Sequence, residues 1–327
     1  MGIKEILNIA TTLIQLEEFD EAPGPNCMSF NFGIERLIHS IEAVGLINIP
    51  FVTRNREGRL DIVTGYRRII ALKAMKFDRI YCRDLSDSGF SEYEMFLINL
   101  YDNIAIRRFN EVEKGMILKG LMMYISREDV EEHFMQILDM KNPREIDILM
   151  GINELNETEK RSIANGDISI NTIKLVHGLD NRSRSVILKC ISDLRLNFNQ
   201  QLQYIDIIND ISIKEDKSIA DIMDEYQFSL LLKDRDINTP QKARAILNLL
   251  RTRRFPFLSK NEKDFDKKIK GLGLPYGISI NHPPYFEGQD YRLEIVFRDG
   301  MDLKQKVCAL ARIEGLNNIK DPWREDS

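Results

Sequence analysis

Leu60-Asp61-Ile62-Val63-Thr64-Gly65-Tyr66-Arg67-Arg68-Ile69-Ile70-Ala71-Leu72-Lys73 joins two periodicities at one glycine. Before Gly65 the chain reads as a short strand. After it, two arginines lead into Ile69, Ile70, Leu72 and Ala74, which are spaced as on a helix. Cations in a first helical turn oppose the positive end of the helix dipole, so they suit that position when an anion is present. A glycine just before the helix lets backbone N–H groups approach phosphate oxygens, and the helix start aims more of them there. Arginine adds a planar fork that matches phosphate. Thr64, Gly65, Tyr66, Arg67 and Arg68 are therefore candidate phosphate-binding residues. The alternative for this segment alone is a solvated helix start whose arginines face water.

Upstream, Leu37-Ile38-His39-Ser40-Ile41-Glu42-Ala43-Val44 reads as an amphipathic helix, Gly45 as its stop, and Ile49-Pro50-Phe51-Val52 as the entry to a strand. Downstream come Asn99-Leu100-Tyr101-Asp102-Asn103-Ile104 and Phe109-Asn110-Glu111-Val112-Glu113. Together these segments resemble the ParB N-terminal domain, part of the ParB/sulfiredoxin-like superfamily. That family has a helix ending in Ser-Ile…Gly, a strand leading into Gly-Glu-Arg-Arg, and a later Glu-Asn helix. The order and spacing match over residues 30–115, and the likeness continues more weakly to about residue 215.

The resemblance implies a pocket for cytidine triphosphate with magnesium. In it Gly65, Arg67 and Arg68 would hold phosphates, and Asp102 and Asn103 the metal, whose preference is for oxygen ligands. Read alone, Asp102 and Asn103 fit a helix cap or a surface pair equally well. Three departures stand out. Gly-Glu-Arg-Arg is Gly65-Tyr66-Arg67-Arg68 here. Glu-Asn-x-x-Arg is Asp102-Asn103-Ile104-Ala105-Ile106, without its arginine. The family's Pro-Ile is inverted to Ile49-Pro50. Arg107 and Arg108 lie just past the missing arginine and would replace it only with a shifted backbone. These changes imply slow or absent hydrolysis, at most a weak CTPase. Sulfiredoxin needs a cysteine at its phosphate loop, and this loop has none.

The chain has 327 residues, 30% charged and 43% hydrophobic, enough for two or three domains with real cores. The longest apolar runs, Met116-Ile117-Leu118 and Leu121-Met122-Met123-Tyr124-Ile125, are separated by Lys119 and Gly120. Neither approaches the roughly 18 residues of a membrane helix. Met1-Gly2-Ile3-Lys4-Glu5-Ile6 lacks the order of a signal peptide and the Ser or Thr of a myristoylation signal. A cytoplasmic protein is expected, nucleoid-associated if it binds DNA, with no membrane partner. Cys27, Cys82, Cys190 and Cys308, like His39, His133, His177 and His282, are scattered with no metal-site or disulfide spacing.

Residues 116–235 are almost wholly helical in pattern. Phe134, Ile137, Leu138 and Met140 have helical spacing, Lys141-Asn142-Pro143 makes a break, and Ile146, Ile148 and Leu149 follow. This is the outline of a helix-turn-helix, whose second helix would enter a major groove. Leu155–Lys160 and Ala164–Ser169 resemble the helices that follow it in ParB proteins. The candidate reading helix offers Lys141, Asn142 and Arg144 against Glu145 and Asp147. A bundle that no longer reads DNA fits the same pattern.

Between Pro240 and Lys270 there are ten basic and three acidic residues, a net of +7 in a chain whose net charge is −5. Such asymmetry fits either a polyanion partner or solvated helix faces. Arg251, Arg253 and Arg254 precede Phe255-Pro256-Phe257, which suits stacking on single strands or a core anchor. From residue 272 two alternating strands, Tyr276–Ile280 and Tyr291–Phe297, lead into an amphipathic helix through Leu303, Val307 and Leu310.

The expected fold is α+β and predominantly helical. It comprises a ParB/sulfiredoxin-like α/β domain (1–115), a helical helix-turn-helix domain (116–235) and a small α+β C-terminal domain (236–327). The expected function is a DNA-binding protein of partition or transcription-regulator type. Its DNA binding would be gated by CTP with Mg, it would act as a homodimer, and its partner would be a ParA-like ATPase. The DNA contacts would be Lys141, Asn142, Arg144, Arg251, Arg253 and Arg254. The alternatives are a small-molecule kinase or nuclease on the same fold, with Asp102 or Glu113 as the base, and a non-catalytic adaptor that keeps only the fold.

Overall fold

In the computed structural model, residues 9–19, 22–55, 57–288 and 290–319 are described; Met1–Ile6 lie outside them. The chain divides into two compact units, Met1–Gln201 and Leu202–Ser327. The fold is α+β and predominantly helical.

The first unit begins with a four-stranded sheet of β1 (Thr11–Gln15), β2 (Phe51–Arg54), β3 (Leu60–Thr64) and β4 (Arg79–Asp84). The strand order is β1-β4-β2-β3. β2 and β4 run parallel, and the other neighbouring pairs are antiparallel. Helices α1 (Glu35–Val44) and α2 (Tyr66–Ala74) supply Ile41, Ile69 and Leu72 to a core with Val52, Leu60, Ile62 and Ile80. Helix α3 (Glu92–Ile104) packs Met95 with Val63 and Leu85 in a second cluster. β3 contributes to both clusters, which explains its near-continuous apolar run. Gly45 ends α1 at φ 75°, a left-handed stop open to glycine.

The helical part of this unit runs α4 (Glu111–Leu121), α5 (Arg127–His133), α6 (Arg144–Ile152), α7 (Glu157–Ala164), α8 (Ile170–Val176) and α9 (Asn181–Leu194), and α10 (Phe198–Glu215) spans the division between the units. Side-chain caps set many of the starts. Asn110, Ser126, Asn156 and Ser169 each accept from a backbone N–H three residues on. α4 and α6 approach closely. A Cβ at Gly115 would lie 2.5 Å from the Leu149 carbonyl oxygen, and Asn153 donates to the Gly115 carbonyl at 2.9 Å.

The helical spacing of Phe134–Met140 does not become a helix. α5 ends at His133, and turns follow to Asp139, which sits at φ 54°. Phe134, Leu138 and Met140 are nonetheless buried, so a compact turn meets the same burial pattern as a helix.

The second unit holds α11 (Ile219–Met223), α12 (Tyr226–Lys233), α13 (Thr239–Arg254), α14 (Pro256–Gly271), the antiparallel pair β5 (Ile278–Asn281) and β6 (Arg292–Ile295), and α15 (Gly300–Leu310). The strand and helix types match the alternation in the sequence, but their burial is less than it implies. Only Ile278 is buried in the two strands, and α15 buries no residue.

Candidate functional site

A cleft of about 380 Å³ opens at the start of α2, lined from α1, α2, α3 and the loop 26–33. Its floor depends on Gly65, which caps α2 in the left-handed region at φ 87°, ψ 20°. A Cβ there would sit 3.0 Å from Pro50 Cβ and 3.2 Å from its Cα. The strand-to-helix turn therefore needs glycine twice over, for its backbone and for its packing. The first backbone N–H groups of a helix have no intrahelical acceptor, and here they lie at the cleft.

Gly65, Tyr66, Arg67, Arg68, Asp102 and Asn103 all line this cleft, as do Arg36 and Arg107. Thr64 does not. It is buried in the sheet, where its hydroxyl accepts from Phe51 N at 3.3 Å.

Behind the cleft lies Glu113, 1% exposed. One carboxylate oxygen accepts from Arg67 Nη2 at 2.8 Å and from Phe30 N at 3.1 Å. The other accepts from Arg107 Nη1 at 2.6 Å and from Asn110 N at 3.1 Å. Arg67 also donates to Ser29 Oγ at 3.0 Å, and Arg107 to Asn103 Oδ1 at 2.8 Å and the Met28 carbonyl at 2.9 Å. Phe32 and Phe109 lie under the two guanidinium groups at 4.7 and 4.5 Å. Arg68 bridges the Asn48 carbonyl at 2.7 Å and Asp102 at 3.1 Å.

Four arginines thus line or reach the cleft against Asp102 and Glu113, an excess of positive charge that suits a multiply charged anion. Burial, then the like charge of Arg107, pulls the Arg67 guanidinium below its ordinary pKa, with Glu113 opposing. Burial pushes the Tyr66 phenol up, so at neutral pH it is neither a base nor a metal ligand.

The donor set for magnesium is thin. The Asn103 amide oxygen is taken by Arg107, and its nitrogen donates to the Asn99 carbonyl at 2.9 Å. Asp102 is ion-paired with Arg68. Among the described residues no group of three or more His, Cys, Asp or Glu side chains converges on a metal position. These residues do not make a metal site by themselves.

The sequence places Arg107 outside the site unless the backbone shifts, and offers Glu113 only as an alternative to Asp102 for the base of an enzymatic reading. The structure brings Arg107 in, because α3 ends at Ile104 and the following turn swings its side chain back over Asn103. The capping box Asn110-x-x-Glu113 was readable, as Asn110 Oδ1 accepts from Glu113 N at 3.0 Å. That the same carboxylate also holds two distant arginines had no local signal.

The candidate DNA contacts divide in two. Lys141, Asn142 and Arg144 are exposed at the start of α6. The two acids of that helix are occupied: Asp147 by Arg127 at 2.5 Å and Glu145 by Lys174 at 2.9 Å. Burial pushes the Glu145 carboxyl up, but Lys174 and the Lys141 N–H outweigh it and hold the group below its ordinary value. Arg251, Arg253 and Arg254, in contrast, have internal partners. Arg251 pairs with Glu262 at 2.6 Å, Arg253 with Glu215 at 2.5 Å and Glu225 at 2.7 Å, and Arg254 with Asp206 at 2.6 Å and with Asp210. Their guanidiniums are committed to holding unit 2 together. The exposed cations of this segment are instead Arg244, Lys268 and the set Lys260, Lys263, Lys267 and Lys270, the last four spaced along one face of α14. Phe257 is exposed, while Phe255 lies under Arg254 at 4.7 Å.

No protein-family model matches the chain. It is 24% identical over 240 residues, 69% of this chain and 82% of the relative, to a Campylobacter jejuni protein described as "Probable chromosome-partitioning protein ParB". Among solved structures, C-terminally truncated ParB from Caulobacter crescentus complexed with CTP-gamma-S is 16% identical, covering 56% of this chain and 98% of that one, with a TM-score of 0.26. The same truncated protein complexed to the centromeric parS site is 14% identical, covering 58% and 96%, with a TM-score of 0.33. A Pnob8-like ParB-N domain is 14% identical, covering 74% and 98%, with a TM-score of 0.35. Over most of both proteins, then, the chain is similar in sequence to a protein described as a chromosome-partitioning ParB.

Proposed function

We propose that this protein binds DNA and that a nucleoside triphosphate, CTP by likeness to its relatives, occupies the Gly65 cleft and gates that binding. The observation that carries the reading is the left-handed glycine wedged against Pro50 at the start of α2, with Arg67 and Arg68 on the wall of a cationic cleft. Phosphate oxygens meeting a helix start and two guanidinium forks gain charge-assisted hydrogen bonds in a partly dry site. Any magnesium would be held chiefly by the phosphates, since Asp102 is ion-paired with Arg68 and Asn103 is taken by Arg107 and Asn99.

DNA would be met at two places. Lys141, Asn142 and Arg144 begin a helix whose acids are already neutralised, and the α14 lysines offer a stripe of charge to phosphates. A homodimer and a ParA-like ATPase are the partners expected of such a protein. Two copies closing around DNA is the arrangement in which occupancy of the cleft would matter. The division into an α/β part up to residue 115, a helical part to 235 and a C-terminal part remains our functional partition.

An enzymatic reading on the same fold needs a carboxylate available to take a proton. Glu113 already accepts from four donors and Asp102 is ion-paired, so the geometry favours binding over turnover. Thermal shift with each nucleoside triphosphate, with magnesium and with or without DNA, tests the proposal. CTP should raise the melting temperature, and DNA should change the size of that shift. Equal melting with every nucleotide would leave only an adaptor that keeps the fold.

A further inference from the structure

We propose that Arg107 is a phosphate-binding residue of the Gly65 cleft and that Glu113 is the positioning residue that sets it and Arg67 together. The proposal rests on the triphosphate reading above and adds to it two residues that the motif around Gly65 does not include.

The observations are geometric. Arg107 lies 40 residues beyond Arg67 in the chain, yet its side chain lines the same cleft as Arg67 and Arg68.

 Arg107 and Arg67 sit on opposite oxygens of the Glu113 carboxylate, at 2.6 and 2.8 Å. That carboxylate is itself fixed by the backbone N–H groups of Phe30 and Asn110, so it cannot follow either arginine outward. Arg67 uses Nε and Nη2 in these bonds; Arg107 uses Nε, one N–H of Nη1, and Nη2 toward both the Met28 carbonyl and Ser29 Oγ, which leaves it the second N–H of Nη1. A guanidinium has five N–H donors, so both keep donors for an anion in the cleft.

Two guanidiniums on one carboxylate carry a net positive charge, held in place before any ligand arrives. A bound phosphate then meets donors whose side-chain freedom is already spent, which is how preorganisation strengthens binding. The structure also explains why Ile106 can stand where the family has an arginine: Arg107, one position later, reaches the cleft because α3 ends at Ile104.

The test is calorimetric titration of the full chain with CTP and with inorganic tripolyphosphate, each with magnesium. The variants are Arg67→Ala, Arg107→Ala, Arg107→Lys, Arg108→Ala and Glu113→Gln. Arg107→Ala should weaken both ligands roughly 10- to 100-fold, the loss of one or two charge-assisted bonds. Arg107→Lys should recover part of this, having charge without the fork. Arg108, exposed and outside the cleft, should bind as the parent does when replaced by alanine. Glu113→Gln is the decisive variant. It removes a negative charge from an anion site, so simple electrostatics predicts tighter binding, whereas a positioning role predicts severalfold weaker binding. If Glu113→Gln melts below the titration temperature, Glu113→Asp keeps the charge, withdraws the carboxylate by one methylene, and should also weaken binding. Parent-like affinity of Arg107→Ala alongside a loss in Arg67→Ala would overturn the role of Arg107 and leave the cleft reading standing. Tighter binding by Glu113→Gln would overturn the positioning role. A parent that binds neither ligand would overturn the cleft reading and this inference together.

Discussion

Gly65 shows how one residue links backbone, packing and site. Its φ of 87° places it where an L side chain is strained, and Pro50 occupies the space a Cβ would need. Gly65→Ala should destabilise the first unit by about 1–2 kcal/mol from the backbone alone, and more from the contact with Pro50. Denaturant melts of the two proteins measure it; equal midpoints would mean that the turn relaxes freely. The glycine-to-helix turn was legible because both periodicities break at one residue. Arg107 was not, because its place depends on where α3 stops, and no residue between Asp102 and Arg107 announces that end. Glu113 was legible as a cap and illegible as a hub, since one of its two arginines lies 46 residues away.

At the scale of elements, the sequence exposed types better than environments. The strand β3 and the helices α1 and α2 follow from period and glycine, whereas Phe134–Met140 bury an apolar pattern in turns instead of a helix. The basic run of α13 misled in the same way: its arginines point to acids on α10 and beside α12 that are distant in sequence. Arg253 holds Glu215 and Glu225 together, and its hydrogen bonds push the Glu225 carboxyl down to about 2 from an ordinary 4.5. A depressed carboxylate pKa stabilises the fold above the unfolded value and loses that stability as pH falls through the folded one. The second unit should therefore lose melting temperature between pH 4.5 and about 2. Arg253→Ala should cost about 2 kcal/mol at neutral pH, between exposed and buried pairs, and should flatten that acid limb. Thermal melts of parent and variant across this range check both; an acid limb unchanged in the variant would show that the ion pairs contribute nothing.

At the scale of the whole molecule, the two proposed sites are separable by experiment. Each phosphate neutralised contributes close to one unit to the slope of log affinity against log salt. Replacing Lys260, Lys263 and Lys267 with glutamine should flatten that slope by roughly two to three units. Replacing Arg144 should flatten it by at most about one, while changing preference among DNA sequences. Replacing Arg251, Arg253 and Arg254 should lower stability before it touches the slope, because those side chains are already paired. A slope that survives the lysine changes but falls with the arginines in a still-folded protein would reverse this assignment. The central claim is that the Gly65 cleft holds a triphosphate, and the most direct measurement is an amide NMR titration of the labelled protein with CTP and magnesium. The account predicts saturable shifts that are largest at Gly65, Tyr66, Arg67 and Arg68 and extend to Arg107. Absence of saturable shifts, or shifts confined to residues away from the cleft, would contradict it.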